Sequence, residues 1–138
     1  MKQLCALTLA LACAVRPAIA QEPQPVLSLE LNGQTAAEAG CMLTFVVRNG
    51  HAQDIDRLVL ETVLFDGTGE VDRLTLFDFG AVPPGLPRVR QFQVDGMACD
   101  DIGQVLINGA STCSVGGSDS TICGTLTVQS RTDTELLG

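Results

Sequence analysis

The sequence predicts an all-β fold, an antiparallel β-sandwich of about seven strands held by disulfides. Three observations carry this expectation. Turn signals recur at short intervals: Asn32-Gly33, Asn49-Gly50, Asp66-Gly67-Thr68-Gly69, Pro83-Pro84-Gly85, Asp95-Gly96, Asn108-Gly109 and Gly116-Gly117. Between them lie short runs rich in Val, Leu, Ile, Thr and Phe, residue types that suit a pleated, half-buried surface. Beyond residue 20 the chain carries four cysteines, Cys41, Cys99, Cys113 and Cys123, an even number without any closely spaced pair.

The first twenty residues alter the counts that follow. Lys2 supplies a positive n-region, Leu4–Val15 an apolar h-region and Ala18-Ile19-Ala20 a small-x-small cleavage site, the order of parts in an export signal peptide. The apolar run of twelve residues ends at Arg16 and Pro17, short of the roughly 20 that a membrane-spanning helix needs. Acylation of Cys13 is the alternative processing route; Ala10, where a leucine is expected three residues before that cysteine, counts against it. Cleavage after Ala20 removes twenty of the 138 residues and leaves 118, one β-sandwich domain over 21–138. Lys2 and Arg16 leave with the signal, so eight basic residues become six against 16 acidic, the formal net charge moves from −8 to −10, and no lysine remains. A chain of that charge is repelled by phosphate backbones and anionic lipid, which argues against a nucleic-acid partner. No second apolar segment is long enough to span a bilayer, and the expected location is the periplasm.

Each element follows from its flanks and its alternation. After a polar lead-in over Gln21–Pro25, the first strand is Val26–Leu31, stopped by Asn32-Gly33. A short helical turn is expected near Ala36–Ala39. The second strand, Cys41–Asn49, puts Leu43, Phe45 and Val47 on one face. The third, Arg57–Phe65, is apolar on both faces, with Val59, Val63 and Phe65 opposite Leu58, Leu60 and Leu64. A strand covered on both sides, or lying against a partner, has that pattern. The fourth, Val71–Phe79, has the same two-sided character through Leu74, Leu76 and Phe77, and should form a hairpin with the third across Asp66–Glu70. The fifth is Arg88–Val94, the sixth Gly103–Asn108, and the seventh Gly124–Gln129 with a possible run to Leu136.

Four cysteines in an oxidising compartment argue for two disulfides, with three pairings open. A four-cysteine zinc site would show two close pairs, whereas the gaps here are 58, 14 and 10 residues. In an immunoglobulin-like sandwich the second and fifth strands are antiparallel neighbours, which brings Cys41, at the start of one, to Cys99, just past the end of the other. Cys113 and Cys123 flank the loop joining the last two strands. The expected bonds are therefore Cys41–Cys99 and Cys113–Cys123.

Motifs that carry chemistry are scarce. His51 is the chain's one histidine, which removes multi-histidine zinc and copper sites, and no G-x-S-x-G is present. It is expected as a solvated turn residue. Asp66-Gly67-Thr68-Gly69-Glu70-Val71-Asp72 resembles a calcium loop, but Val71 stands where the loop needs glycine and Phe77 where it needs glutamate. Ser114–Ser120 is rich in glycine and serine yet lacks a Gly-Lys-Ser/Thr ending, so it is expected as a loop pinned by a disulfide. Asp54/Asp56, Glu70/Asp72 and Asp100/Asp101 are carboxylate pairs with no spacing that selects one. No catalytic, cofactor-binding or metal-binding residue is assigned, and no cofactor is expected. Trp and Tyr are absent, which removes the usual sugar platforms, and the five phenylalanines are expected in the core. Arg88 and Arg90 share a strand face with Phe92 and Val94; they are expected either to pair with carboxylates at the strand's open end or to contact a partner.

From Cys41 onward the order of segments is distinctive. A strand ending in Val-x-Asn-Gly precedes Glu61-Thr62-Val63-Leu64-Phe65-Asp66, then Gly67-Thr68-Gly69, then Arg73-Leu74-Thr75-Leu76-Phe77-Asp78-Phe79-Gly80, then Val82-Pro83-Pro84-Gly85 leading to Arg88-Val89-Arg90-Gln91-Phe92. Over nearly the whole exported part this resembles small Gram-negative proteins labelled Tat pathway signal sequence domain proteins. Over about Cys41–Asn108 it is more loosely similar to immunoglobulin-like extracellular domains. The resemblance implies an exported β-sandwich and brings no catalytic residues. Met1-Lys2-Gln3 lacks a twin arginine, which favours general secretion. The function expected from all this is binding without catalysis, with an envelope protein as partner, met through a strand edge or the acidic surface. The alternative is an acidic inhibitor of a cationic enzyme.

Overall fold

A computed structural model describes residues 25–138; the export-signal reading and its cleavage site lie outside the described residues. Nine strands form two sheets: β1 (Leu27–Ala37), β2 (Gly40–Asn49), β3 (Ile55–Asp66), β4 (Val71–Val82), β5 (Arg88–Asp95), β6 (Ile102–Val115), β7 (Ser118–Asp119), β8 (Leu126–Ser130) and β9 (Glu135–Leu137). Two 3-10 turns, Cys99–Asp101 and Ile122–Gly124, complete the regular structure among the described residues. One sheet has the order β5-β2-β1-β8; the other has β4-β3-β6-β7, with β9 also on β6. The chain is a disulfide-stabilised all-β sandwich. β2 neighbours β5 and β3 neighbours β6, both antiparallel, as an immunoglobulin-like arrangement places its second, third, fifth and sixth strands. β4 extends the sheet of β3.

Alternation builds the core. Leu27, Leu29 and Leu31 of β1 and Cys41, Leu43, Phe45 and Val47 of β2 point inward, every second residue. From the other sheet they meet Leu58, Leu60 and Leu64 of β3, Phe77 and Phe79 of β4, and Val105 and Ile107 of β6. Phe45 sits at the centre of an aromatic group, with ring centroids 5.9 Å from Phe77, 5.8 Å from Phe79 and 6.1 Å from Phe92. Phe77 and Phe92 stack at 4.2 Å across the seam between β4 and β5. Four of the five phenylalanines thus belong to the core or its margin; Phe65 stands apart from it.

Irregularities have local causes. In β4 the inward positions run Phe77, Phe79, then Val82, because a bulge at Gly80, with φ of 65°, shifts the parity by one. Asp78 Oδ1 accepts the Gly80 N–H at 2.9 Å and fixes the bulge. Tight packing places Gly40 where a Cβ would overlap the Val94 carbonyl oxygen.

Several boundaries differ from the sequence expectation. Asn32-Gly33 does not end β1: the strand absorbs a bulge there, continues to Ala37, and turns over Glu38-Ala39 where a helical turn was expected. Asn108-Gly109 does not end β6, which bulges against β3 and runs on to Val115. Ser114–Ser120 is a β6–β7 hairpin around Gly116-Gly117 rather than an irregular loop. The last strand divides. β8 pairs parallel with β1, and β9 returns to pair parallel with β6 in the other sheet. Between them, Ser130 Oγ donates to the Thr134 carbonyl at 2.6 Å and Thr134 Oγ1 to the Ile102 carbonyl at 3.1 Å, so hydroxyls replace the ladder.

Both expected disulfides are present. Cys41–Cys99 joins the start of β2 to the turn after β5, with Cα atoms 4.8 Å apart; Cys113–Cys123 closes the β6–β7 hairpin region at 6.1 Å. They close loops of unequal length, at separations of 58 and 10 residues. Replacing Cys41 and Cys99 together by alanine should cost about 4 kcal/mol and replacing Cys113 and Cys123 about 3 kcal/mol, from the loop-entropy relation. Urea unfolding of the two double variants measures this, the long-loop variant having the lower midpoint.

Candidate interaction surface

The two solvent faces of the sandwich differ in chemistry. On the four-stranded sheet the outward residues are mostly polar, among them Ser28 and Glu30 of β1, Thr44 of β2, Gln91 of β5 and Gln129 of β8, with one apolar pair, Val46 of β2 and Val89 of β5, the latter 57% exposed. The polar side chains bond to one another. Gln91 Nε2 donates to Thr44 Oγ1 at 3.0 Å, and Glu30 accepts from Asn32 at 2.7 Å, from Arg131 at 2.8 Å and from Gln129. Those hydrogen bonds, Asn32 and Arg131 foremost, hold the Glu30 carboxyl below its ordinary value. This face carries a polar cleft of about 610 Å³ that also includes Arg48.

On the five-stranded sheet the outward residues include a connected apolar set. Leu60 and Leu64 belong to the core, so Val59, Val63 and Phe65 of the same strand face away from it. Val63 pairs with Leu74 of β4 on one side and Leu106 of β6 on the other, and Leu106 pairs with Leu137 of β9. One apolar row thus crosses four strands, roughly 14 Å at normal strand spacing. Leu74 and Leu76 are 56% and 54% exposed and Val71 60%, whereas Val59 and Val63 in mid-sheet are covered by neighbouring side chains to 6% and 8% without joining the core. The two-sided pattern of the third and fourth strands therefore reflects one buried face and one outward apolar face. The parts contributed by Leu106 and Leu137 were not legible, because the sixth strand, Gly103–Asn108, had no face assigned to it and Leu137 lies beyond the expected end at Leu136.

Carboxylates border this row. Glu61, between Val59 and Val63, accepts from Asn108 Nδ2, and Glu135 accepts from Gln104 Nε2 at 2.7 Å. Arg57 pairs with Asp78 at 2.8 Å; this contact, with the Gly80 N–H, holds the Asp78 carboxyl low and raises the Arg57 guanidinium. Arg73 pairs with Asp72 at 2.6 Å.

The residues singled out from sequence fall elsewhere. Arg90 lies on the β4–β5 seam, where its guanidinium donates to the main-chain carbonyls of Phe79 at 2.8 Å, Val89 at 2.9 Å and Ala81 at 3.4 Å. Main-chain oxygens, not the expected carboxylates, take its charge. Arg88 and Arg90 line a cleft of about 370 Å³ with Asp54, Asp56 and Pro83, but neither forms an ion pair with a described residue. His51 is half-buried rather than fully solvated: its N–H donates to Asn49 Oδ1 at 2.9 Å, and its Nε2 is enclosed. Asn49 itself is buried, its Nδ2 donating to the Gln53 and Val82 carbonyls at 2.8 and 2.9 Å. Among the described residues no group of three or more His, Cys, Asp or Glu side chains converges as a metal site would.

The calcium-like segment is the β3–β4 turn. Asp66 Oδ1 accepts the Thr68 N–H at 2.8 Å, the Thr68 hydroxyl at 2.6 Å and the Glu70 N–H at 3.1 Å, which commits that oxygen to the turn. These bonds, led by the Thr68 hydroxyl, lower the Asp66 pKa. The chain matches no family model, no curated protein and no solved structure.

Two outcomes follow. Asn49→Ala strands two carbonyls and the His51 N–H, and should cost about 1–3 kcal/mol in urea unfolding at neutral pH. Because Asp66 binds its proton less readily folded than unfolded, its contribution is complete above the ordinary aspartate value of about 4 and is lost as pH falls through the lower folded value. The stability advantage of the parent over Asp66→Asn should therefore be largest near neutrality and shrink in acid, as measured by denaturation across that range.

Proposed function

We propose that this protein is an exported, periplasmic, non-catalytic protein-binding or accessory module whose partner, an envelope protein, docks on the outer face of the five-stranded sheet. The observation that carries this reading is the apolar row Leu74–Val63–Leu106–Leu137 with Leu76 beside it, which crosses four strands, whereas the other face is mostly polar and has the single apolar pair Val46–Val89. Contiguous apolar surface of that kind marks interaction sites. The two disulfides fit an oxidising compartment. An acidic inhibitor of a cationic enzyme is the second reading, favoured by the carboxylates around the row; it differs in requiring that binding silence an activity.

A photo-crosslinking residue placed at position 74, which is well exposed, should yield a discrete adduct in intact cells, and the same residue at position 44 on the polar sheet should not. Equal labelling from both positions, or none from position 74, would sink the docking face.

A further inference from the structure

We infer that the occupant of this face is a cationic amphipathic polypeptide segment, apolar along one line and bearing lysine or arginine beside it. The inference rests on the docking reading above and adds the partner's chemistry. An apolar row alone does not distinguish a second copy of the chain from a different protein; the charges bordering it do. Among the described residues Glu61 and Glu135 stand next to the row with only the neutral amides of Asn108 and Gln104 as side-chain partners, so their charge is oriented but not cancelled. The cations near the row among the described residues are already paired, Arg57 with Asp78 and Arg73 with Asp72.

The polar sheet shows the contrast. Its face carries Arg48 and Arg131, the latter against Glu30, so uncompensated negative charge concentrates on the apolar side. A second copy laid face to face would press two such carboxylate sets together while expelling water, and like charges across an interface are repulsive. Anionic lipid is disfavoured for the same reason. A segment whose apolar side chains cover Leu74, Leu76 and Leu106, with basic side chains reaching Glu61 and Glu135, satisfies both components. Its cationic groups would find carboxylates already held in position by Asn108 and Gln104, which lowers the ordering cost.

The probe is a synthetic strand-forming peptide of alternating leucine and lysine, with a leucine–glutamate counterpart, titrated against the oxidised protein. The lysine peptide should bind, weaken as salt rises, and lose about tenfold in affinity with Leu74→Thr and Leu76→Thr combined, as for loss of an apolar anchor. Threonine keeps the strand propensity, and circular dichroism confirms that the variant is folded. Glu61→Gln and Glu135→Gln should each weaken binding, whereas Glu30→Gln, an equal change of charge on the other sheet, should not. Equal weakening by Glu30→Gln would mean diffuse attraction to net charge and overturn the proposal. Binding of the glutamate peptide as tightly as the lysine peptide overturns the cationic occupant and leaves the docking face standing; absence of any adduct from position 74 removes the docking face itself. A parent protein that sediments as a dimer, and as a monomer once Leu74 and Leu76 are replaced, would identify a second copy as the occupant instead.

Discussion

The two sheets are held in register by what gathers around Phe45. Its ring lies within about 6 Å of three others, from β4 and β5, so one residue of the second strand ties together the three strands that bound one side of the sandwich. Edge-to-face and stacked aromatic pairs add to the burial of their area and constrain direction as well as distance. With Phe77 and Phe79 anchored there, the parity of β4 is set, and Leu74 and Leu76 have no choice of side. The exposed leucines of β4 are thus a consequence of the core: the strand that supplies two rings to the interior must present its alternate residues to the exterior.

Much of the architecture was legible because local chemistry and global topology agree. The Asp66–Glu70 hairpin has its turn residues at the required places, and both disulfides follow once β2 and β5 are neighbours. Boundaries were less legible. Asn32-Gly33 and Asn108-Gly109 carry turn chemistry that long strands absorb as bulges, because pairing on both sides of the interruption outweighs the local preference. β9 is three residues long and owes its existence to the free edge of β6, a tertiary fact with no signature in its own sequence. The candidate surface was half legible. Two-sided apolarity in the third and fourth strands was plain, but whether the second side was buried or open depends on which strands flank it.

Individual polar residues depart furthest from what their sequence motifs suggest. Asp66, calcium-like in pattern, spends its Oδ1 on the turn that makes the hairpin. Asn49, read as one half of a turn signal, is a buried connector between the β2–β3 loop and β4. In both cases a side chain able to serve a ligand serves the main chain instead. That is the usual fate of Asn and Asp near strand ends.

Arg90 has a consequence for how other chains can approach. A sandwich edge is a template for strand addition, since its unpaired carbonyls invite a foreign N–H. β4 is such an edge, and the Arg90 guanidinium already occupies the carbonyls of Phe79 and Ala81 there. An incoming strand would have to displace a charged donor from two acceptors before it could add. The lateral route of assembly, which leads toward fibres and swapped sheets, is obstructed at that end of the strand, and recognition is turned from the backbone toward side chains.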